Sequence, residues 1–522
     1  MSADYDLAVV GSGFAGSLLA TIARRLGKSV LLLERGKHPR FAIGESSTPL
    51  SNLLLEELSV RYYLPNLTPL SKWGTWQEKY PEVSCGLKRG FTFYRHESGR
   101  RAAVDPERRD QLLVAASPHD AIADTHWFRA DVDSLFVREA VSKGVEYVDE
   151  VQLENACELG EKIRLEGMRR GQRFGVSARF VVDATGPRGF LHRAFAIPEL
   201  PIPDLPPTEA LYTHFTGVGR LDELVEHKGE VPPYPVDDAA VHHVFEGGWI
   251  WVLRFRNGIT SAGVAATRPV AARLGFAEGA PAWQRLLEQF PSVHDQFAAA
   301  VADRPLVHAP RLSFRSGAIA GRRWALLPSA AGFVDPLLST GFPLVLLGVM
   351  RLAEIFERDW DPSRLSPALA AYARRTEDEL LATARLIGSL YASMANFPLF
   401  ASLSLLYFAA ASFSETARRL GRPQLGSSFL LHDHPAFQIQ PLCERARLVR
   451  TPEDLQTLND DILRAIEPFN VAGLGQLSRR NWYPVDAEDL LCAAPKVGAD
   501  RDDVMRLLAR CGFPVDARRV RG

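Results

Sequence analysis

A glycine-rich turn near the start of the chain constrains the fold more than any other feature. An apolar stretch leads into the turn that contains Gly11, Gly13 and Gly16, and a helical pattern and a second apolar run ending at Glu34 follow. In this order the glycines allow a tight turn, close approach of a pyrophosphate and close helix–strand packing, and the acid can bind ribose hydroxyls. The sequence therefore predicts an α/β protein with a Rossmann-like dinucleotide-binding domain.

Length and composition limit the alternatives. A chain of 522 residues exceeds what a single core holds, so we expect two or three substructures. The formal net charge of −1 gives no electrostatic basis for binding nucleic acid. The 13 histidines show no metal-ligand spacing and the five cysteines contain no CxxC pair, so we expect neither a metal site nor a disulfide framework.

One uncharged stretch, residues 386–414, is long enough to cross a bilayer. It contains Asn396, Pro398 and six serines, and arginines flank both of its ends, so it lacks the charge asymmetry of a membrane span. Buried helices, or helices that line an apolar cavity, are the favoured interpretation. The first core strand is reached by residue 5, which leaves no room for a signal peptide, and we expect a cytoplasmic protein. Whether the stretch 386–414 lines a pocket or touches a membrane surface is left open.

The pattern along the chain predicts three regions. The dinucleotide-binding domain takes residues 1–195 and is completed by about 305–345. A β-sheet substrate subdomain takes residues 196–304, because a proline-rich crossing is followed by a hairpin pattern there. A helical cap takes residues 346–522.

Two local expectations accompany this division. Ser366 as N-cap and Pro367 at the first helical position predict the start of a long helix in the cap. An exposed excursion is expected where four arginines cluster, at Arg100, Arg101, Arg108 and Arg109.

Further motifs carry a resemblance to a known family. They are His38–Phe41 leading into Gly-Glu-Ser-Ser-Thr-Pro at 44–49, Cys-Gly-Leu-Lys-Arg-Gly-Phe at 85–91, Trp-Ile-Trp at 249–251 and Asp-Pro-Leu-Leu-Ser-Thr-Gly at 335–341. Together with the glycine turn they resemble the FAD-binding monooxygenase fold of the hydroxybenzoate hydroxylase type, over roughly residues 4–345. The resemblance is closer to its flavin-dependent halogenase branch. The element at 85–91 looks most like halogenases of phenols, whereas tryptophan halogenases have a glutamate where this chain has Leu338.

The resemblance implies an activity and its cofactors. FAD, supplied as FADH2 by a separate flavin reductase, reacts with oxygen and oxidises chloride or bromide to hypohalous acid. A lysine then delivers the halogen to an electron-rich, phenolic substrate, and Lys88 matches that lysine. An ammonium suits the task because it is a compact donor whose pKa falls when it is desolvated. Apart from its motif, a lysine at this position would be an ordinary surface residue.

The resemblance also implies a set of binding residues. The expected cofactor contacts are Gly11, Gly13, Phe14, Ala15, Gly16, Glu34, Glu45, Ser46, Ser47, Arg129, Asp335 and Gly341. Ser339, Thr340 and Gly341 are expected to bind halide through backbone N–H groups, as an anion nest does. Trp249, Trp251 and Phe93 are expected along the path to the substrate.

Several of these residues have simpler interpretations. Glu45 could cap the turn that follows it, Arg129 could be a solvated arginine before a helix, and the sequence Ser-Thr-Gly is an ordinary helix N-cap. The two tryptophans could be core aromatics on one face of a strand.

The alternatives for the whole chain also stay open. The halogenase motif reads Trp-x-Trp-x-Ile-Pro, whereas this chain has Leu253 and Arg254 in the last two positions. A flavin hydroxylase or flavin reductase of the same fold is therefore the second hypothesis, and a non-catalytic FAD-binding protein is the third. Halide preference, substrate identity, attachment of the substrate to a carrier and assembly into a homodimer are left open.

Overall fold

The structure is a computed structural model that describes residues 4–102, 106–225 and 229–513. Residues 1–3, 103–105, 226–228 and 514–522, which the three predicted regions include, lie outside it. The strands are β1 (Asp4–Val10), β2 (Val30–Leu33), β3 (Cys85–Lys88), β4 (Gly90–Arg95), β5 (Gln111–Ala115), β6 (Asp124–Trp127), β7 (Glu146–Val148), β8 (Val151–Leu159), β9 (Lys162–Arg169), β10 (Gln172–Asp183), β11 (Glu199–Leu200), β12 (Thr208–Thr216), β13 (Ala240–Phe245), β14 (Gly248–Arg254), β15 (Thr260–Thr267), β16 (Val301–Ala302), β17 (Val307–Ala309), β18 (Phe314–Ser316), β19 (Trp324–Leu326), β20 (Gly332–Phe333) and β21 (Trp482–Tyr483). The helices are α1 (Phe14–Arg25), α2 (Pro49–Arg61), α3 (Trp73–Lys79), α4 (Arg129–Ser142), α5 (Phe190–Ala194), α6 (Arg268–Leu274), α7 (Ala280–Gln289), α8 (Pro291–Gln296), α9 (Pro328–Ala331), α10 (Gly341–Arg358), α11 (Pro362–Ser393), α12 (Phe397–Arg419), α13 (Ile439–Ala446), α14 (Pro452–Ile466), α15 (Ala487–Cys492) and α16 (Arg501–Arg510).

The first sheet carries the dinucleotide-binding motif and confirms the predicted α/β class. Its described strands run in the order β7-β2-β1-β10-β9-β8, with β19 beside β10. The strands β7, β2, β1, β10 and β19 are parallel, and β8 to β10 form the antiparallel meander. β2 is apolar and buried throughout, as a parallel strand covered on both faces must be. The carboxyl ends of β1 and β2 therefore meet at the glycine turn and Glu34.

The second sheet contains the strands of the predicted substrate subdomain. Its described order is β16-β12-β15-β14-β13-β4-β5-β21, with β17 beside β12. The predicted hairpin set is confirmed as β13, β14 and β15. Strands β4 and β5, which the predicted boundaries assign to the dinucleotide-binding domain, are also part of this sheet, and β21 joins it from the far end of the chain. The domain boundaries themselves stay predictions.

The cap is helical, but its longest helix begins earlier than predicted. Asp361 is the N-cap of α11 and accepts a hydrogen bond from the Ser363 N–H, while Pro367 lies inside the helix. The prediction that Ser366 and Pro367 begin the helix was wrong, because Asp361 and Pro362 form an equally good start signal five residues earlier.

The uncharged stretch 386–414 is two helices rather than one. It contains the end of α11 and most of α12, and Asn396 caps α12 by accepting from the Leu399 N–H. Among the described helices, the segments Leu337–Arg358 and Phe397–Arg419 are long and apolar enough to cross a membrane, and 72% and 78% of their most apolar windows are buried in the protein. Burial of this kind is what core helices show.

The expected excursion of arginines is only partly exposed. Arg100 and Arg101 are exposed, but Arg108 keeps only 6% of its surface. The Arg108 guanidinium lies 3.4 Å above the ring of Trp482 and donates to Glu230 at 2.6 Å. The prediction that Arg108 is exposed was therefore wrong, because Trp482 covers its guanidinium. The two residues are more than 370 positions apart in the sequence, so the contact could not be predicted from neighbouring residues.

Candidate active site

The glycine turn has the close packing that the sequence predicts. Gly11 has a φ of +104°, and a Cβ there would lie 2.6 Å from the carbonyl oxygen of Ala184. A Cβ at Gly16 would lie 2.0 Å from the carbonyl oxygen of Gly11. The residues Ala184–Gly186 after β10 thus pass directly behind the turn, and only glycine fits at both positions.

Two arginines, each paired with a carboxylate, lie at the N-terminus of α1. Gly13 is the N-cap of α1 and provides no side chain to cap it. A Cβ at Gly13 would meet the guanidinium groups of Arg129 at 3.3 Å and Arg40 at 3.7 Å. The Phe14 N–H donates to Asp133 Oδ1 at 3.1 Å, and the two arginines at this helix end fit a pyrophosphate.

Glu34 lies at the end of β2, where the sequence places it. Its carboxylate accepts hydrogen bonds from the Ser12 N–H, the Ser12 hydroxyl and the Gly36 N–H, at 3.1, 2.8 and 2.9 Å. Burial opposes ionisation, but the charge of Arg40 at 3.6 Å and these hydrogen bonds together hold the pKa of Glu34 below its usual value. Glu34 is therefore a carboxylate, as an acceptor of ribose hydroxyls must be.

Arg129 is a buried structural arginine rather than a solvated one. Its guanidinium donates to both oxygens of Asp133 at 2.9 Å and to the carbonyl oxygens of Ile43 and Gly44 at 3.0 Å. It also lies 5.0 Å from the ring centroid of Phe14. The alternative of a solvated arginine was wrong, because Arg129 links α4 to the segment 43–47.

The segment 44–47, which we call the strap, lies along β6. Ser46 pairs with His126, and the Ser47 N–H and hydroxyl both donate to the Thr125 carbonyl. Glu45 is buried and pairs with His214 of β12, with 2.7 Å between Oε1 and Nε2. The alternative that Glu45 caps the following turn was wrong, since Thr48 is the N-cap of α2 and forms a capping box with Ser51.

Lys88 is fully buried at the end of β3, directly beside the strap. Its Nζ donates to the Ser46 hydroxyl at 2.9 Å and to the Ser47 carbonyl at 2.6 Å, and it lies 3.9 Å from the ring centroid of Phe91. Burial lowers the pKa of Lys88 to about 7, although the charge of Asp124 opposes the shift. The alternative of an ordinary surface lysine was wrong.

Asp124 begins β6 and is the register partner of Lys88 in β3. It keeps 5% of its surface, and its Oδ1 accepts a hydrogen bond of 2.7 Å from the Asn52 amide. Burial raises the pKa of Asp124 to about 7, against the attraction of Lys88. Two groups of opposite charge thus meet in a site where neither charge is well solvated.

A cavity of about 650 Å³ opens beside this pair. Its wall includes α2, α12, the strands β4 and β5 and the C-terminal segment 471–513. Near Lys88 it is lined by Asn52, Asp124, Phe91, Tyr407 and Phe408. An aromatic wall with a few polar groups is typical of a site for a small organic molecule.

The loop before α10 has the backbone geometry of an anion site. Leu338 and Ser339 have φ angles of 63° and 54°, and Thr340 returns to −67°. The Ser339 N–H donates to the Pro336 carbonyl oxygen at 3.1 Å, so an anion at this loop would be bound by the N–H groups that follow at the start of α10. A Cβ at Gly341 would meet nothing within 4 Å, so space for a ligand lies there. Thr340 occupies the N-cap position of α10 without a side-chain capping hydrogen bond.

Asp335 holds this loop from behind. Its carboxylate accepts hydrogen bonds from the Leu337 N–H at 3.0 Å, the Tyr391 hydroxyl at 2.9 Å and the Trp249 indole at 3.3 Å. Burial raises the pKa of Asp335 to about 7 despite these donors. Three protein partners thus occupy its carboxylate, and its predicted contact with the cofactor stays a prediction.

The aromatic residues predicted along the substrate path form a buried stack. Trp249 and Trp251 lie on one face of β14 with ring centroids 5.7 Å apart, and Phe93 stacks on His242 at 4.4 Å. His242 in turn lies 5.2 Å from Trp249. The cavity wall contains Phe91 rather than Phe93. A role for the three predicted residues in the path stays a prediction.

Arg254, the departure from the family pattern, has a structural role. Its guanidinium pairs with the buried Asp237 at 3.1 Å and donates to the carbonyl oxygens of Val218 and Gly219. A Cβ at Gly86 would lie 1.8 Å from the Arg254 carbonyl oxygen, so β3 crosses this strand end closely. The substitution thus fixes the end of β14 and leaves both tryptophans on their face of the strand.

Several residues of the site were missed from the sequence: Arg40, Asn52, Asp124, His214 and Tyr391. Arg40 lies within a motif that supported the resemblance, so its neighbours could have indicated it. The others lie on separate elements, and only the pairing of β3 with β6, the packing of α2 and α11, and the contact of β12 with Glu45 bring them to the site. Within the described ranges, no group of three metal-binding side chains occurs, and the cysteines are free.

Comparison with known proteins gives consistent matches. The family model for tryptophan halogenase matches residues 117–396, more than half of the chain, and that for an NAD(P)-binding Rossmann-like domain matches residues 9–66. The monodechloroaminopyrrolnitrin halogenase of Pseudomonas fluorescens is 31% identical over 385 residues, which are 72% of this chain and 66% of that protein. The tetracycline 7-halogenase of Kitasatospora aureofaciens is 30% identical over 423 residues, 78% of this chain and 73% of that protein. The fold matches the crystal structure of the halogenase PltM in complex with phloroglucinol and FAD, with a TM-score of 0.81, 24% identity and coverage of 92% and 99% of the two chains.

Proposed function

The chain belongs to the flavin-dependent halogenase family, and we propose that it halogenates an electron-rich phenolic ring through Lys88. The family is defined by its cofactor, so the chain is an FAD-dependent enzyme that acts on aromatic compounds. The observation that carries the proposal is the position of Lys88, which is fully buried beside the strap, with its Nζ 3.9 Å from the ring centroid of Phe91, a residue of the cavity wall.

The residues of the first sheet fit the adenine dinucleotide. Gly11, Gly13 and Gly16 form the turn for the pyrophosphate, Arg40 and Arg129 supply positive charge, and Glu34 is ionised for the ribose. Reduced FAD with oxygen supplies the oxidation of halide to hypohalous acid. The Ser339 N–H donates to the Pro336 carbonyl oxygen, so the N–H groups of Thr340 and Gly341, beside the open space at Gly341, would hold the halide for that oxidation.

Lys88 then acts on the hypohalous acid. Two of its ammonium hydrogens are held by Ser46 and Ser47, so the group has a fixed position at the end of β3. Its lowered pKa allows Lys88 either to donate a proton to the oxidant or to react as an amine near neutral pH. The buried position excludes water, which would otherwise dilute the oxidant.

The partners follow from the same proposal. A separate flavin reductase supplies the reduced cofactor, and the enzyme works in the cytoplasm on chloride or bromide. The aromatic cavity fits a ring compound, either free or carried by a partner protein. Assembly into a homodimer remains a prediction.

The hydroxylase alternative predicts a different product. It rests on Leu253 and Arg254, but Arg254 is engaged with Asp237 and the two tryptophans keep their places. The geometry therefore gives no reason to abandon halogenation.

The test uses the full-length protein with FAD, a flavin reductase, NADH, oxygen and bromide. Hydroxylated arenes are offered, and products are examined for the isotope pattern of bromine. Lys88→Met retains the length of the side chain without its charge, and Lys79→Ala serves as a control because Lys79 is exposed. FAD binding and hypobromite release, measured with a diffusible trap, are recorded for each variant.

Brominated product that disappears in Lys88→Met, with FAD binding and hypobromite release retained, is the expected result. Equal bromination by Lys88→Met would overturn the role of Lys88. Hydroxylated product without bromine would establish the hydroxylase alternative instead.

A further inference from the structure

Two buried polar residues on the cavity wall form a pair that is only half satisfied. The Asn52 amide nitrogen donates to Asp124 Oδ1, which uses one acceptor of the carboxylate. Asp124 Oδ2 and Asn52 Oδ1 are buried and have no hydrogen-bond partner within the described residues. Asn52 keeps 3% of its surface and Asp124 keeps 5%. Since buried polar atoms are nearly always partnered, two unpartnered acceptors on a hydrogen-bonded pair of side chains indicate a ligand that donates hydrogen bonds.

The surroundings of the pair are mostly aromatic. Phe91, Tyr407 and Phe408 line the same part of the cavity. Flat rings on the wall and two acceptors beside them fit a flat ring that carries a hydroxyl group. The register of β3 and β6 places Lys88 opposite Asp124, and the Lys88 Nζ lies 3.9 Å from the ring centroid of Phe91 on the cavity wall, so such a ring would lie near the group that delivers the halogen.

The charged groups around Asp124 come from two elements besides its own. Lys88 of β3 and Arg419 of α12 favour its ionised form, and Glu415 of α12 opposes it. Tyr407 of α12 is uncharged, because burial and the charge of Asp124 raise the pKa of its hydroxyl. Asp124 can therefore change between its protonated and its ionised form near neutral pH.

We propose that Asn52 and Asp124 bind the hydroxyl group of a phenolic substrate, and that Asp124 Oδ2 takes the hydroxyl proton as the ring is halogenated. This assignment rests on the proposed function, since it needs hypohalous acid at Lys88. It adds a second catalytic residue and explains why a hydroxylated ring is selected.

The protons and electrons of the step balance. An electron pair of the ring forms the carbon–halogen bond, the halogen–oxygen bond of the hypohalous acid breaks, and the departing hydroxide leaves as water with a proton from the Lys88 ammonium. The hydroxyl proton moves to Asp124 Oδ2, and the ring becomes a neutral dienone. The hydrogen of the halogenated carbon then leaves as a proton to the Lys88 amine. Asp124 returns its proton to the oxygen, so that the net products are the halogenated phenol and water.

A pair of matched compounds tests the assignment. Phloroglucinol and 1,3,5-trimethoxybenzene are both electron-rich, but only the first donates hydrogen bonds. We expect wild-type enzyme with bromide to prefer the hydroxyl compound by about 100-fold or more in kcat/KM, because a site with buried acceptors rejects an analogue that leaves them unpaired. In Asp124→Asn this preference should fall by about 10-fold or more, through loss of activity on phloroglucinol alone.

Controls separate this assignment from the proposed function. Ser404→Ala also removes a buried polar group, a hydroxyl that bonds only within α12, and should leave the preference unchanged. Hypobromite release and FAD binding should be the same in Asp124→Asn and wild type. Absence of hypobromite from wild type would count against the proposed function rather than against Asp124.

Three results would overturn the assignment. They are bromination of the ether as fast as of phloroglucinol, equal losses on both compounds in Asp124→Asn, and failure of phloroglucinol to bind wild-type enzyme that still releases hypobromite. Binding is followed by ligand-observed NMR on the FAD-loaded protein, so that an answer does not depend on turnover.

Discussion

The hydroxyl of Tyr391 donates a 2.9 Å hydrogen bond to Asp335 Oδ2 and thereby joins α11 of the cap to the loop that leads to Ser339. Trp249 donates to the other oxygen of the same carboxylate, from the second sheet. Three parts of the protein thus meet at one buried acid, directly behind the proposed halide site.

Loss of the Tyr391 hydroxyl should weaken the binding of halide. We expect Tyr391→Phe to raise the KM for bromide about 5-fold, the equivalent of one lost hydrogen bond of about 1 kcal/mol, because the loop then has one fewer support. FAD affinity should change little, since the glycine turn lies elsewhere. Steady-state kinetics at varied bromide, with FAD titration alongside, measure both. An unchanged KM for bromide would show that this hydrogen bond does not position the halide loop.

The glycines of the turn should respond differently to substitution. Gly16→Ala places a methyl group against the Gly11 carbonyl oxygen and should destabilise the fold by about 3 kcal/mol, measured by denaturant unfolding without FAD. A Cβ at Gly13 would lie 3.3 to 3.8 Å from the side-chain ends of Arg129, Arg40 and Asp133, so Gly13→Ala should fold normally but bind FAD about 10-fold more weakly, because the pyrophosphate needs the space above Gly13. FAD affinity of Gly13→Ala equal to wild type would place the pyrophosphate elsewhere.

Activity should depend on pH through Asp124 and Lys88. Burial raises the pKa of Asp124 to about 7, so a falling pH protonates this acceptor and kcat/KM for a phenol should decrease below about pH 7. Burial lowers the pKa of Lys88 to about 7, so a rising pH removes its proton and a second limb should appear on the alkaline side. In Asp124→Asn the acidic limb should disappear from the pH profile of kcat/KM. Its persistence there would assign the acidic limb to another group.

The contact of Arg108 with Trp482 should hold the C-terminal segment on the second sheet. Arg108→Ala is expected to cost about 2 kcal/mol, because a desolvated cation over an indole is lost. Limited proteolysis should then cut near β21, while FAD binding is retained. Arg100→Ala, at an exposed position, is the matched control and should be cut no faster than wild type. Equal protection of both variants would mean that other contacts hold the segment.

The sequence predicted the first sheet well because its signals are local. Gly11, Gly16 and Glu34 lie within 24 consecutive residues, and their spacing reflects the geometry of one turn. Lys88 was proposed from a motif of neighbouring residues, and the structure places it beside the strap. Its partner Asp124 was not proposed, since the two are 36 positions apart and only strand pairing brings them together.

The cap was harder to predict for the same reason. Helices were recognised from apolar spacing, but the start of α11 was misplaced because two start signals compete within six residues. The burial of Arg108 depends on Trp482, a residue that no local pattern could relate to it. Contacts between distant segments decide both the wall of the cavity and the exposure of charged residues.

The two ends of the chain contribute to different properties of the enzyme. Gly11 and Glu34 belong to the proposed cofactor site, whereas Val485, Leu507 and Phe513 line the cavity. Mutations in residues 471–513 can therefore change which ring compound the cavity accepts, while the residues proposed to bind FAD and halide stay the same. For directed evolution, residues 471–513 are the region to diversify. Exchange of this region between relatives is a second route to new substrates.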